Sequence, residues 1–312
     1  MKDNIVILGS INIDITASAE RLPVKGETVL GDSVNMSPGG KGANQAVQCA
    51  QLGIPTILIG QVGNDFQGSN ALSSLREKNV DCSHIAISET ECTGCAAINI
   101  DKNGDNTLVY VPGTNRRISR DLVDLNRTAI QNAGVFITQT EINLDALVYG
   151  LEFAHSAGVI TILNPAPAIP LPSEVLTQVD YITPNKTESE AYTGIRSEVS
   201  IKEWKTRNAA WFLDRGVKNV CITMGEKGAF YSNGSESFDV PAFSITPVDT
   251  TATGDSFHGG FAYGLLKNYP IELCMKIGCA CGALTSMSAG AQNSIQNAEH
   301  IFRFLCDKGV KL

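Results

Sequence analysis

Short apolar runs that stop at glycine, proline or a polar residue recur along the chain, and most are followed by residues with helical spacing. Residues 5–8 are continuously apolar and end in Gly9-Ser10, the pattern of a strand buried on both faces and followed by a turn. Similar runs at 56–60, 135–138, 159–163 and 181–183 alternate with helical patterns at 69–78 and 144–156, a short helix after 163, and 188–193; a further strand follows at 219–223. That alternation predicts βαβ units, and so a mostly parallel sheet with helices on both faces. Two regions break it. Residues 15–36 hold short alternating pieces interrupted at Leu22-Pro23 and Lys25-Gly26, and 96–100 and 107–111 flank the turn-rich stretch 101–106. Both read as antiparallel strands and predict a small β flap outside the main sheet, suited to covering a site or pairing with another subunit. Near the end, 248–264 reads as a strand end, a small-residue loop and a helix start, and 271–289 and 298–305 read as helices, the first loaded with small residues around 279–283.

The predicted strand ends carry the polar residues. Asn12 and Asp14 follow the first strand, Glu141 follows the strand at 135, and Asn164-Pro165-Ala166-Pro167 and Thr183-Pro184-Asn185 with Glu188 close the next two. Ligands bind at that edge of open α/β sheets, where an amide and a carboxylate can hold neighbouring hydroxyls of a polyol; a capped turn accounts for Asn12 and Asp14 equally simply. The stretch Ser37-Pro38-Gly39-Gly40-Lys41-Gly42-Ala43-Asn44-Gln45-Ala46 lets backbone approach a ligand closely and adds one cation. It is neither a Walker A loop, since Gly42 follows Lys41, nor a dinucleotide fingerprint, since Gln45 stands where a third glycine or alanine belongs. Thr223, Gly225 and Gly228 suit either nucleotide phosphates or a plain hairpin turn. In Val248 to Gly264, Gly254 permits a tight turn that aims the first amides of a helix, Ala252 to Asp255, at one point, where they and the macrodipole attract an anion. Asp255 is there either as a general base or as an acid that stabilises the helix dipole.

Composition narrows the setting. The chain has 312 residues, 43% hydrophobic, 18% charged, with a net charge of −8, which is enough for a large core and argues against nucleic acid or acidic membrane as a partner. The N-terminus runs directly into a strand and no apolar run is long enough to span a bilayer, so a cytoplasmic protein is expected. Nine cysteines then read as reduced thiols. Cys92 and Cys95 have metal-pair spacing without a second pair, which favours buried strand thiols. The small residues from Cys279 to Ala283 leave room for a flat ring or for close helix packing.

Taken together, Gly9-Ser10-Ile11-Asn12-Ile13-Asp14, Gly39 to Ala46, Asn164 to Pro167, Thr183 to Asn185 with Glu188, Thr223 to Gly228, and Asp249 to Asp255 occur in the order and spacing of a known family. The chain resembles the ribokinase branch of the ribokinase-like sugar kinases, from Gly9 to about Ser294. The resemblance implies a single domain over 1–312: a three-layer α/β/α fold with a mostly parallel central sheet and a small β-sheet lid from about 12–36 and 93–113. It implies ATP-dependent phosphorylation of D-ribose at the 5-hydroxyl. Asn12, Asp14, Gly40, Lys41, Asn44 and Glu141 would contact the sugar, Asp255 would deprotonate it, and Ala252, Thr253, Gly254 and Asp255 would form the anion hole. Asn185, Glu188, Thr223, Gly225 and Gly228 would face the nucleotide, with Asn185 and Glu188 organising Mg²⁺ through water, and Cys279 would lie near the adenine. Asp249, Thr251, Thr285, Ser288, Gly290 and Ser294 fall where relatives hold an activating K⁺. A homodimer through the lid is expected. Departures stand at Thr253, where relatives commonly have Ala, and at Ser256-Phe257-His258, where they have Thr-Phe-Asn. The rival readings are the same chemistry on deoxyribose, fructose or a nucleoside, and a sugar-binding regulator without catalysis.

Overall fold

The computed structural model describes residues 2–196 and 198–312. Its strands are β1 (Ile5–Leu8), β2 (Asn12–Ala19), β3 (Gly31–Gly39), β4 (Thr56–Gly63), β5 (Ile85–Ser88), β6 (Gly94–Asp101), β7 (Asn106–Val111), β8 (Val135–Gln139), β9 (Ile160–Asn164), β10 (Tyr181–Ile182), β11 (Asn219–Thr223), β12 (Ala229–Ser232) and β13 (Ser237–Val240). The helices are α1 (Lys41–Gln51), α2 (Phe66–Glu77), α3 (Arg120–Leu125), α4 (Arg127–Gln131), α5 (Leu144–Ser156), α6 (Ser173–Leu176), α7 (Lys186–Thr193), α8 (Ile201–Leu213), α9 (Thr253–Leu266), α10 (Ile271–Ser286) and α11 (Ala298–Asp307).

Nine strands form the central sheet in the order β13-β12-β11-β10-β9-β8-β1-β4-β5. Pairing is parallel from β5 to β11 and antiparallel for β12 and β13. β1 is apolar at every position and its neighbours are largely so because both faces are covered, and successive residues serve different cores. Ile5 and Ile7 of β1 pack with residues of α1, α9, α10 and α11, whereas Val6 and Leu8 pack with residues of α5 and α8. Val135 and Ile137 against Phe136 repeat the division in β8. This is the expected three-layer α/β/α arrangement.

Chain order reverses between β1 and β8: β4 and β5 lie on one side of β1, and β8 to β11 follow on the other. The strand ends open at such a switch point, so a crevice forms there. Helix α1 is drawn into that crevice by two glycines: a Cβ on Gly42 would stand 2.6 Å from the backbone of Gly9, and the Ala43 amide donates to Ser10 O at 3.0 Å. No other residue type allows this approach. Gly40, at φ 91, turns β3 into the helix.

A second sheet of four strands, ordered β3-β2-β6-β7, rises from the same edge. The flap is not wholly antiparallel, as its strand patterns suggested, because β2 pairs with β6 in parallel through the register Asp14↔Ala96. The two hairpin halves come from different excursions of the chain, and sequence spacing carries no information on how they join.

Three local expectations change. Residues 241–252 contain no strand, so Val248 is not a strand end; prolines at 241 and 247 bracket a segment without regular pairing. The left-handed residue before α9 is Ala252, at φ 59, and not Gly254, which lies in the first helical turn with open space where a Cβ would go. Helix α10 ends at Ser286, short of 289, and its small residues lie in its second half. There Gly260 of α9 sits against Gly278 and Cys281, with a Cβ only 2.6 Å from Cys281 Sγ, so these small residues serve close helix packing.

Candidate active site

The switch point gathers one cation and three carboxylates. Ser10, just beyond β1, donates to Glu141 Oε2 at 2.6 Å, and Lys41 Nζ stands 3.0 Å from Glu141 Oε1. Burial alone would lower the Lys41 pKa, but the nearby Glu141 and Asp255 carboxylates outweigh it and raise it, so the ammonium stays charged. Asp255, in the first turn of α9, is buried and accepts from Asn44 Nδ2 at 2.9 Å and Gln45 Nε2 at 3.1 Å. Gln45 is itself oriented by Gln139 Nε2, which donates to its Oε1 at 2.7 Å. Burial raises the Asp255 pKa, opposed by Lys41 and by the Asn44 and Gln45 bonds. Asn44 Oδ1 is buried with no hydrogen-bond partner among the described residues.

The small sheet completes this side. Asn12 is fixed by Asn115 Nδ2, 2.7 Å from its Oδ1, and Asn115 also closes on Ile11 N and O. Asp14 follows two residues along β2, its carboxylate packed against Gly39, where a Cβ would clash. Burial, with Glu141 nearby, pushes the Asp14 pKa up to about 6; Lys41 pulls against this and Asp255 adds to it.

The neighbouring strand ends hold a second cluster. Asn185 caps α7 and shares a capping box with Glu188: each backbone amide reaches the other's side chain, at 2.8 and 2.9 Å. The box is a structural cap in its own right, yet Glu188 is close enough to Lys41 and Asp255 to be felt electrostatically at both. Thr223 bridges to Asn185 across strand ends, and Gly225, at φ 58, opens to solvent. Gly228 differs: a Cβ there would collide with Val240 O and Ala242 N, so its small size serves the turn. Cys279 lies near Cys221 of β11, and burial pushes its thiol up to about 12.

Beside α9, Asp249 Oδ1 accepts from the Thr251 amide at 2.9 Å and Thr251 Oγ1 at 2.7 Å, while Oδ2 accepts from Gly290 N at 2.9 Å. These bonds outweigh burial and keep its pKa low. Two further residues of this group spend their hydroxyls elsewhere: Thr285 donates to Ser256 Oγ at 2.8 Å and Ser294 to Ala291 O at 2.8 Å. Ser288 is exposed. Among the described residues, no cluster of three His, Cys, Asp or Glu side chains is arranged to hold a metal.

At the start of α9 the Gly254 and Asp255 amides have no partner among the described residues, while Thr253 N reaches Thr250 O at 3.3 Å. His258 secures this turn. Its Nδ1 lies 2.5 Å from Gly254 O and its Nε2 2.6 Å from Thr183 Oγ1. Burial lowers its pKa to about 4, so the ring is neutral; a carbonyl accepts only, so Nδ1 donates and Nε2 accepts from Thr183. The sequence motifs did not single out Gln139, Asn115, Ser10 or this His258 bridge. Gln139 and Ser10 carry the strand-end signal that marked their neighbours; Asn115, in a short 3-10 turn at 113–117, carries none.

A charged, partly desolvated crevice meeting the open start of a helix suits a sugar kinase, and the chain's relatives place it in that class. Residues 2–298 match the pfkB family carbohydrate kinase model, and the chain belongs to that family. It is 35% identical to a ribokinase of Haemophilus influenzae, over 98% of this chain and 99% of that protein. It is 29% identical to a deoxyribokinase of Salmonella typhi, over 97% and 98%. Its fold superposes on the structure of Arabidopsis thaliana ribokinase complexed with ribose and ATP with a TM-score of 0.91 and 30% identity, covering 98% and 99% of the two chains. No helix among the described residues is long and apolar enough to cross a membrane.

Asp14 gives a stability test. Because its folded pKa lies above the unfolded value, its stabilising contribution is full below about pH 4 and is lost as pH rises through about 6. At pH 8 the ionised group is a net cost, of up to about 3 kcal/mol. Asp14→Asn should therefore melt higher than the parent at pH 8 without ligands, with the gain vanishing toward pH 4; an unchanged melting temperature at pH 8 would contradict the placement.

Proposed function

We propose that the chain transfers the terminal phosphoryl group of ATP to the 5-hydroxyl of D-ribose, giving ribose 5-phosphate and ADP. The observation that carries this reading is Asp255: a buried carboxylate, held by two amide side chains, in the same helical turn as unpartnered backbone amides. Asn12, Asp14, Lys41, Asn44 and Glu141, with the Gly40 turn, hold the sugar. Desolvation raises the basicity of Asp255, so it removes the proton from the attacking hydroxyl as the oxygen bonds to phosphorus. The amides of Gly254 and Asp255, with Ala252 and Thr253 shaping the turn, stabilise the charge on the transferring group, and ADP leaves in line. Asn185, Glu188, Thr223 and Gly225 bound the nucleotide side, with Cys279 toward the base.

Two ions fit the residues present. Glu188 has oxygen lone pairs beyond those given to Asn185, which suits outer-shell contact with hydrated Mg²⁺; the ion supplies charge neutralisation on the phosphates. Asp249 joins the 249–251 and 290 loops through Thr251 and Gly290 as a carboxylate that stays ionised, which suits K⁺ alongside backbone carbonyls; Thr285, Ser288 and Ser294, whose hydroxyls are exposed or bonded elsewhere, would contribute through their backbone. Chelation of divalent ions should abolish turnover, and exchanging K⁺ for a bulky organic cation at constant ionic strength should reduce kcat; full kcat without K⁺ would remove that site.

We further propose a homodimer through the lid. Met36, Ile15, Ala97 and Val109 share one cross-strand row, and Val34, Met36, Val109 and Val111 on that face are 68%, 47%, 65% and 40% exposed. Sedimentation should show a dimer that Val109→Asp weakens; a monomeric parent at micromolar concentration would count against it.

For the chemistry itself, Asp255→Asn should lower kcat by about 10²–10⁴-fold with ribose affinity changed only a few-fold. Retention of parental kcat would remove Asp255 as base, and ADP release that does not depend on sugar would remove the kinase reading. A panel with deoxyribose, fructose and nucleosides compares kcat/KM, and ribose is expected to lead it.

A further inference from the structure

The small sheet carries a polar group that the sugar contacts above leave out. The register Ser37↔Asp14, Asp14↔Ala96 and Ala96↔Tyr110 runs straight across all four strands, so Tyr110 of β7 shares a face with Asp14. Leu108 and Asn106 precede it on that face toward the tip, and Tyr110 is the member nearest the base of the sheet, beside Asn12 and Asn115.

The Tyr110 hydroxyl oxygen is buried, yet no atom of the described residues meets it at hydrogen-bonding geometry. Its neighbours explain why. Asn115 has committed both amide hydrogens, to Ile11 O and Asn12 Oδ1, and its oxygen to Ile11 N, so it has no donor left for the phenol, and Asn12 Oδ1 already takes one of these bonds. Burial, with Glu141 nearby, pushes the phenol up to about 12 against Lys41 and against the Asn12 and Asn115 side chains, which lie near enough to act as loose hydrogen-bonding neighbours but do not meet the oxygen at full hydrogen-bonding geometry, so it is a neutral O–H donor. A shielded hydroxyl without a partner is costly, and such groups in native structures call for a reason. Here the reason is its position: an aromatic arm from the lid ends among Asn12, Glu141 and Lys41, at the rim of the crevice assigned to the acceptor.

We propose that Tyr110 is a specificity-determining residue, whose hydroxyl donates a hydrogen bond to a hydroxyl of the acceptor sugar from the lid side. This rests on the sugar-kinase reading of the crevice. Because the contact comes from the lid and not from the base of the crevice, it adds to affinity and acceptor choice, and not to proton removal at Asp255. It also gives lid closure a dependence on the sugar's own hydroxyl pattern.

Tyr110→Phe isolates the claim, since it keeps the ring and its packing and removes one oxygen. The variant should melt like the parent, raise the KM for ribose about tenfold, and leave kcat and the KM for ATP within about twofold. Ribose analogues each lacking one hydroxyl supply the second readout: for the analogue without the contacted hydroxyl, parent and variant should have equal KM. An unchanged ribose KM overturns the proposal, and so does an equal increase for every analogue, which marks a packing effect. Absence of ribose turnover by the parent instead overturns the acceptor assignment of the preceding subsection; the same variant and analogues of the sugar that is turned over then carry the test.

Discussion

The structure turns on one buried carboxylate. Asp255 lies at the start of α9 where water is largely excluded, a placement that would be prohibitive for an isolated charge. Asn44 and Gln45 satisfy its oxygens, and Lys41 lies within electrostatic reach. All three belong to α1, so the carboxylate is held only because α1 and α9 meet. Their meeting depends on small residues: Gly42 against Gly9 lets α1 approach the end of β1, and Gly259 packs on Gln48 of α1 with no room for a Cβ. The glycines that seem dispensable in a chemical inventory therefore set the distance at which the chemistry operates.

The electrostatics of the crevice follow from the same crowding. Asp14, Glu141 and Asp255 share a single nearby ammonium, and the cost of concentrating them appears as raised pKa values for Asp14 and Asp255. A polyol offers several O–H donors, which is what an under-compensated set of acceptors can use. Glu141 pairs with Lys41 Nζ and accepts from Ser10 Oγ, and so anchors the group. Function and fold stability pull in opposite directions here, as they commonly do where a site is preorganised.

A second coupling runs through His258. The ring links the first turn of α9 to Thr183, at the end of β10 and two residues before Asn185. The start of α9 and the strand end that leads to the Asn185 cap are therefore joined by one neutral side chain. Burial and the lowered pKa keep that bridge uncharged across the physiological range, and the Gly254 carbonyl, which can only accept, selects the Nδ1–H tautomer.

The apolar runs and their spacing determined the layered sheet, because a strand covered on both faces has to be largely apolar; they also placed Glu141 just past a strand end and Asp255 at a helix start, whereas Asn12 and Asp14 lie on β2 of the small sheet and not at the end of β1. The glycine-rich stretch before Asn44 announced a close backbone approach for the same local reason. Only tertiary structure decided the rest. Ala252, not Gly254, takes the left-handed turn, because the fold fixes that angle regardless of the cheaper residue two positions on. The parallel joining of β2 and β6 puts Tyr110 beside Asn12, a neighbour 98 residues away that no spacing rule connects. Thr285 is spent on Ser256, and Gln139 reaches Asp255 only through Gln45. A side chain's partners across long sequence separations are set by packing, and packing is a property of the whole chain.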